Sequence, residues 1–315
     1  MPDLSIIIVN WNTRDLLLDC IDSVYKSIRN NSFEIIVVDN ASTDGSVAAV
    51  SMRYPDVLII SNEINYGFAK ANNMAIKKMN GRYAVLLNSD AILKKGSIDK
   101  IVEFMDGHPS VGICGPQLLF GDGSKQTSIG KFPTFIAEFF TISLFKFLFP
   151  QKFKEEPLVL NGPTSVDFII GACMVVNRNA IDKVGMLNES YFFYFEEIDW
   201  CMNMKKAGWD VYHLPDIEIF HLKNKSVEEI NLKARAESWR SRYIFFENNP
   251  DLLGGASRIL LPAGIFLNIY KFVNYSILNM MTFFMLKRLR KRWRMFAYLL
   301  VWHIKGRPVS MCIPR

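Results

Sequence analysis

The sequence predicts an α/β fold, a Rossmann-like and mostly parallel sheet flanked by helices, with an apolar and basic helical extension at its C-terminal end. Short apolar runs at 4–9, 34–38, 57–60 and 85–87 alternate with helix-spaced stretches, and repeated strand–helix units build a parallel sheet with right-handed crossovers. Charge separates the extension from the rest. The net charge is +6, yet from Asp251 onward 11 Lys or Arg face 1 acidic residue, which puts +10 there and −4 on residues 1–250.

Composition sets the outer bounds. With 315 residues, 50 % hydrophobic and 22 % charged, the chain is globular and long enough to bury about three quarters of its unfolded surface, as one large domain or two smaller ones. Cys20, Cys114, Cys173, Cys201 and Cys312 are scattered, odd in number and without a C-x-x-C pair, which argues against a disulfide framework or zinc site and fits a reducing compartment. Asp3 is followed at once by strand-like residues, so no signal peptide is expected and the catalytic part is placed in the cytoplasm.

The strand over 4–9 ends in Asn10-Trp11-Asn12, and the helix over 15–28 follows with Leu16, Leu17, Cys20, Ile21, Val24 and Ile28 on one face. The strand over 34–38 ends in Asp39-Asn40-Ala41-Ser42-Thr43-Asp44-Gly45, where Ser42 or Thr43 can cap the next helix. A third strand over 57–60 precedes Asn65-Tyr66-Gly67-Phe68-Ala69, which opens another helix. Residues 85–87 then run into Asn88-Ser89-Asp90-Ala91, ahead of a helix over 95–107. Ligands of open α/β sheets bind at the carboxyl ends of strands. There, Trp11 offers a face for stacking a base, Asp39 can accept a hydrogen bond from a base N–H or a ribose hydroxyl, and Asp90 can hold a divalent cation against phosphates. Each has a plainer alternative in rim packing, turn chemistry or helix capping. At three successive strand ends they favour a nucleotide site, and the lack of G-x-G-x-x-G after the first strand argues against a dinucleotide cofactor.

Ser5-Ile6-Ile7-Ile8-Val9-Asn10-Trp11-Asn12, Val37-Val38-Asp39-Asn40-Ala41-Ser42-Thr43-Asp44-Gly45-Ser46, Asn65-x-Gly67-Phe68-Ala69 and Leu86-Leu87-Asn88-Ser89-Asp90, in that order, resemble the family 2 glycosyltransferases of the GT-A fold, especially their rhamnosyltransferase-like branch. The likeness covers roughly residues 3–225. It implies donor contacts from Asn10, Trp11, Asp39, Asn65, Gly67, Asn88 and Ser89, with Trp11 and Asp39 at the pyrimidine base and ribose. Asn88-Ser89-Asp90 is the counterpart of the family's D-x-D metal motif, with Asn88 in place of the first Asp, so that Asp90 is its one carboxylate.

Residues 132–150 are densely aromatic but broken by Glu138 and Lys146, which suits an interfacial or lid segment, or a buried core helix. Residues 166–177 read as two strands around Gly171-Ala172, small residues that let a ligand approach the backbone. An aromatic wall, Tyr191-Phe192-Phe193-Tyr194-Phe195, leads into Glu196, Glu197 and Asp199 at the start of a helix that runs to about Ala207. Carboxylates crowded beside aromatic rings titrate high, as a general base requires; solvated acids at a helix N-terminus are the level alternative. The resemblance implies that Glu197 is the catalytic base, with Glu196 and Asp199, beside Gly171 and Ala172, orienting the acceptor or capping the helix. Two strands are read over 209–213 and 217–221, and the resemblance makes His221 a second metal ligand, which together with Asp90 suits Mn²⁺ or Mg²⁺.

Residues 260–286 are apolar and long enough to cross a bilayer, but Asn268, Lys271, Tyr275, Asn279 and Thr282 share one stripe, which points to a helix in the membrane interface. Lys287 to Arg294 hold six cations in eight residues, an attraction for anionic lipid. The apolar run over 296–302 favours lipid over nucleic acid as partner, and an ordinary amphipathic helix packed on the core is the alternative. The expected domains are a catalytic domain over 1–250 (nucleotide-sugar half 1–125, aromatic insertion or lid 126–165, acceptor and base half 166–250) and a membrane-associating tail over 251–315.

The expected activity is inverting transfer from a dTDP- or UDP-sugar to a polyprenyl-diphosphate-linked saccharide, for surface polysaccharide, at the cytoplasmic face of the plasma membrane with peripheral or monotopic attachment. A sugar-phosphate nucleotidylyltransferase and a non-catalytic membrane-bound saccharide-binding protein are the alternatives.

Overall fold

Ile6, Ile7 and Ile8 are all fully buried, which only a strand covered on both faces allows. They belong to β1 (Leu4–Asn10), central to a sheet that a computed structural model places in the order β3-β2-β1-β4-β10-β6-β11-β5, with β8 (Thr164–Ser165) also paired to β11. The structure describes residues 1–139, 162–222, 232–253 and 257–307, and most of the aromatic segment expected over 132–150 lies outside them, as does Cys312.

β1, β2 (Phe33–Asp39), β3 (Leu58–Ser61) and β4 (Tyr83–Asn88) run parallel. β10 (Cys173–Asn177) enters antiparallel between β4 and β6 (Val111–Leu119), and β11 (Asp210–His221) lies parallel to β6. Strand side chains alternate between two cores. Ile6, Ile8, Val85 and Leu87 meet Leu17, Cys20, Ile21 and Val24 of α1 (Arg14–Ser27) and Ile98, Ile101, Val102 and Met105 of α4 (Ser97–Gly107). Ile7, Ile36, Ala84 and Leu86 meet Ala69, Ala71 and Ala75 of α3 (Gly67–Ile76), together with Ala180 and Ile181 of α6 (Arg178–Val184) and Trp200, Cys201 and Met204 of α7 (Glu196–Lys206). Alanines on α3 let that helix lie close to the sheet.

Three local readings change. The helix after β2, α2 (Ser46–Arg53), begins behind Gly45 at φ 83 without a side-chain cap, and Asp44 binds the Ser46 N–H and hydroxyl, so Ser42 and Thr43 are released for other work. A short strand, β5 (Ala91–Leu93), stands between Asp90 and α4 and pairs antiparallel with β11. The two strands read over 209–213 and 217–221 are one, β11, whose register against β6 shifts between Leu214 and Glu218; Pro215 and Asp216 break the apolar pattern there without ending the strand.

The chain falls into two compact units, one drawn from 1–132, 159–192 and 196–225, the other from 133–158, 193–195 and 226–315. The second contains α5 (Phe135–Phe139), α8 (Leu232–Asn248), α9 (Leu260–Met281) and α10 (Lys287–Ile304). Its core is aromatic: Phe139 packs on Trp239, Tyr243 and Phe246, and Tyr243 Oη lies 2.9 Å from His303 Nε2. In α9 the expected polar stripe faces inward, since Asn268 and Asn279 are fully buried, and the outward face is the apolar one. Among the described residues no helix is long and apolar enough to cross a membrane.

Candidate functional site

The carboxyl ends of β1, β2 and β4 carry a connected set of polar side chains. Asn10 and Asp39 are register partners. Asn10 Nδ2 donates to Asp39 Oδ1 at 2.7 Å and to Ser42 Oγ at 3.0 Å, while Asn10 Oδ1 accepts from Thr13 Oγ1 at 2.7 Å. Thr13 Oγ1 in turn lies 2.8 Å from Ser89 Oγ, and Asp39 Oδ2 accepts the Ser42 N–H at 2.8 Å. Asp39 is buried, and such a carboxylate keeps lone pairs free for a further donor after these two bonds. Trp11 stands at the rim, 40 % exposed, beside Asn12 at φ 54, whose side chain accepts the Thr43 N–H at 2.8 Å.

Asn65 and Gly67 form the start of α3. Asn65 Oδ1 accepts the Gly67 N–H at 2.9 Å, and Asn40 Nδ2 donates to the Gly67 carbonyl at 3.1 Å. Gly67 has φ +80, and a Cβ there would stand 2.2 Å from the Phe192 carbonyl oxygen, which accepts the Phe68 N–H at 2.7 Å. Both strain and collision oppose a side chain. Gly67→Ala is expected to cost about 3 kcal/mol in urea unfolding; a loss below about 0.5 kcal/mol would show that the Phe192 backbone yields freely.

The end of β4 meets the end of β11. β5 pairs Ala91 with His221, and the Leu222 N–H donates to the Asp90 carbonyl at 2.9 Å. This brings Asp90 Oδ1 to 3.3 Å from His221 Nε2, with Asn88 Nδ2 3.4 Å from the same nitrogen. His221 Nδ1 lies 2.7 Å from Gln126 Oε1, an oxygen that can only accept, so Nδ1 donates that hydrogen bond and, in the neutral ring, Nε2 is the nitrogen left to ligate a cation. Two ligands sharing a cation at about 2.1 Å each would stand about 3.0 Å apart in adjacent octahedral positions, so this pair fits Mg²⁺ or Mn²⁺. No cluster of three or more His, Cys, Asp or Glu that could hold a metal occurs among the described residues. Two protein ligands suffice where substrate phosphates and water complete the shell.

Gly171-Ala172 connects this corner to the acidic helix. The Asn88 N–H donates to the Ala172 carbonyl at 3.0 Å, and on the other side Gly171 approaches the Glu197 stem, where an added Cβ would be 3.6 Å from Glu197 Cβ. Burial pushes the Glu197 carboxyl above its ordinary range, against the opposing pull of backbone N–H groups at Glu197, Ile198 and Gly171. Its Oε2 is buried without a hydrogen-bond partner among the described residues. Glu196 and Asp199 are both buried, and Asn203 Nδ2 lies 3.4 Å from Asp199 Oδ2. Tyr194 and Phe195, at φ 73 and 72, make the turn into α7 with two consecutive bulky residues in the left-handed region.

The structure thus joins Asn10, Asp39 and Ser89 in one network, Asn88, Asp90 and His221 in another, and Gly171 with Glu197 in a third. Ser42, read from sequence as a candidate helix cap, holds these networks together with Thr13 and Gln126, which were not singled out by sequence; Gln126 has no motif around it, and only the fold brings it to His221.

The protein-family comparison matches residues 5–185 to Glycosyl transferase family 2. An N-acetylglucosaminyl-diphospho-decaprenol L-rhamnosyltransferase of Mycobacterium tuberculosis is 29 % identical over 227 residues, 67 % of this chain and 73 % of that protein. Rhamnosyltransferase WbbL of Escherichia coli is 25 % identical over 228 residues, 69 % of this chain and 82 % of that protein. Among solved structures, a Pyrobaculum calidifontis mannosyltransferase in complex with GDP-Man and Mn²⁺ superposes with TM-score 0.55 at 16 % identity over 98 % of this chain and 88 % of that one, which speaks to the fold. Matched over more than half its length, the chain belongs to glycosyl transferase family 2 and is a glycosyltransferase of the GT-A fold.

Proposed function

We propose that this transferase moves a sugar, with inversion, from a dTDP- or UDP-sugar to a hydroxyl of a polyprenyl-diphosphate-linked saccharide, in surface polysaccharide synthesis at the cytoplasmic face of the membrane. Relatives named for rhamnosyl transfer, one of them onto N-acetylglucosaminyl-diphospho-decaprenol, support that substrate pair. The observation that carries the reading is the Gly171-Ala172 segment, which touches Glu197 on one side and the Asn88–Asp90–His221 corner on the other.

Asn10, Trp11 and Asp39 take the base and ribose, with Asn65 and Gly67 shaping the adjoining turn and Asn88 and Ser89 reaching the diphosphate. Asp90 and His221 hold a divalent cation, which when bound offsets charge on the leaving diphosphate. Glu197, its proton affinity raised by burial, accepts the proton of the acceptor hydroxyl as that oxygen attacks the anomeric carbon. Glu196, Asp199 and the open backbone at Gly171 and Ala172 orient the acceptor.

Transfer is tested by incubating the protein with dTDP- and UDP-sugars and a short polyprenyl-diphosphate N-acetylglucosamine, with mass-spectrometric detection of product. Extension by one deoxyhexose supports the pair; donor binding without product on any acceptor of this class contradicts it. Gln126→Leu should weaken Mn²⁺ binding about 10- to 100-fold, read by electron paramagnetic resonance in the presence of the nucleoside diphosphate, because it frees the His221 tautomer. Unchanged Mn²⁺ affinity would remove Gln126 from the site.

A further inference from the structure

We infer that the α9–α10 hairpin is an in-plane membrane anchor, with the outer face of α9 among lipid acyl chains and the cations that open α10 at anionic headgroups. The inference deepens the membrane location given above and does not depend on the transfer chemistry.

Phe266, Ile269, Tyr270, Val273, Ile277, Met280 and Met281 recur at helical spacing on one side of α9 and are all exposed, Phe266 to 67 % and Met281 to 73 %. No charged residue interrupts that side. Lys271, Asn268 and Asn279 fall on the other, where Tyr275 stacks on Phe296 of α10 and Trp293 Nε1 donates to Ser276 Oγ at 2.9 Å. A water-soluble helix presents the opposite arrangement, polar outward and apolar inward.

The tip extends the same surface. Phe283, Phe284, Met285 and Leu286 are exposed, Phe283 to 85 % and Met285 to 79 %. They are held there by a defined turn: the Phe284 N–H donates to the Asn279 carbonyl at 2.7 Å, and Asn279 Nδ2 reaches the carbonyls of Tyr275 at 2.7 Å and Leu289 at 3.2 Å. The buried asparagine of the polar stripe therefore fixes the hairpin that carries the aromatic tip. Lys287, Arg288, Arg290, Arg292 and Arg294 follow and are exposed, in a segment whose only acid is Asp251.

Charge identifies the occupant. A second copy of the chain would bring its own +10 segment against this one, whereas an anionic leaflet complements it and accepts the apolar face beside it. Only one side of α9 is left uncovered and none of the described helices is long and apolar enough to cross, so the hairpin lies along the surface.

Flotation of the full-chain protein with vesicles of phosphatidylglycerol and phosphatidylcholine in equal parts, and with phosphatidylcholine alone, tests this. The protein should float with the anionic vesicles, less so when salt rises from about 0.1 M to about 1 M. Val273→Glu with Ile277→Glu should cut the bound fraction at least about tenfold without lowering Tm, since both side chains are exposed. Arg288→Ser with Arg290→Ser and Arg294→Ser should remove the preference for anionic lipid. Flotation of the glutamate variant at the wild-type level, or no flotation of the wild type, overturns the inference. So does light scattering that finds a wild-type dimer which the glutamate variant splits, because a second copy would then cover the face. Transfer to a detergent-dispersed short-chain acceptor separates the two readings: loss of anchoring alters flotation alone, and failure of the proposed transfer leaves flotation intact.

Discussion

Replacing Glu197 with Gln is expected to lower kcat about 10²- to 10⁴-fold, the worth of a positioned general base, while leaving donor affinity unchanged. The same variant should be more stable than the wild type at neutral pH. Burial raises the folded-state pKa of Glu197 above its unfolded value, so the folded protein binds that proton more tightly. The resulting stabilisation is complete below the unfolded pKa and is lost as pH rises through the folded one. Above its raised folded-state pKa the wild type bears a charged carboxylate whose Oε2 is buried without a partner among the described residues, and Gln removes that charge. The Tm gain of the variant should therefore shrink as pH falls toward the ordinary Glu range. An equal Tm across the whole pH range would mean that Glu197 is solvated in the fold, and retained kcat would mean that another group takes the proton. The pH profile of wild-type kcat/KM carries the same signature: its acid limb should lie above the ordinary Glu value and disappear in the Gln variant.

Asp90→Ala is expected to reduce kcat/KM at least about 10²-fold, equivalent to a few kcal/mol of lost charge stabilisation, and to raise the Mn²⁺ concentration needed for half-maximal rate. The fold should survive, because the Leu222 N–H binds the Asp90 main-chain carbonyl and the side chain is not a core element. His221→Ala should show the same two effects. The double variant should be little worse than the poorer single one if, as proposed, both residues act through one shared cation. Additive losses in a thermodynamic cycle would separate the two residues into independent roles.

Much of this arrangement could be read from sequence, and the reasons differ by element. β1, β2 and β4 are short apolar runs ending in polar residues, a pattern dictated by strands buried on both faces whose carboxyl ends meet solvent. The candidate site residues Asn10, Asp39 and Asp90 sit at or just beyond those ends, where ligands of open α/β sheets bind, so they could be singled out as candidates before any coordinates. β5 was not visible, because three residues, Ala91, Ile92 and Leu93, are too few to show a period, and its pairing partner lies more than a hundred residues away. Yet β5 is what brings Asp90 to His221. The supporting side chains were hidden for a related cause: Gln126 and Thr13 act through contacts that no local spacing encodes, and Ser42 serves Asn10 instead of the helix cap its neighbours suggest. The stripe in the tail was legible, but not the direction in which it faces. A polar stripe on an apolar helix looks like a solvent face, but here Asn279 is consumed by the turn into α10, and packing against that helix turns the apolar side outward.

The central claim is that one carboxylate, Glu197, deprotonates an acceptor that attacks the donor carbon directly, opposite a diphosphate held near Asp90 and His221. The most direct measurement is the anomeric configuration of the transferred sugar, by nuclear magnetic resonance of product formed in a single turnover from a donor of known configuration. Direct displacement predicts an inverted configuration in every product molecule, and a retained configuration would contradict it.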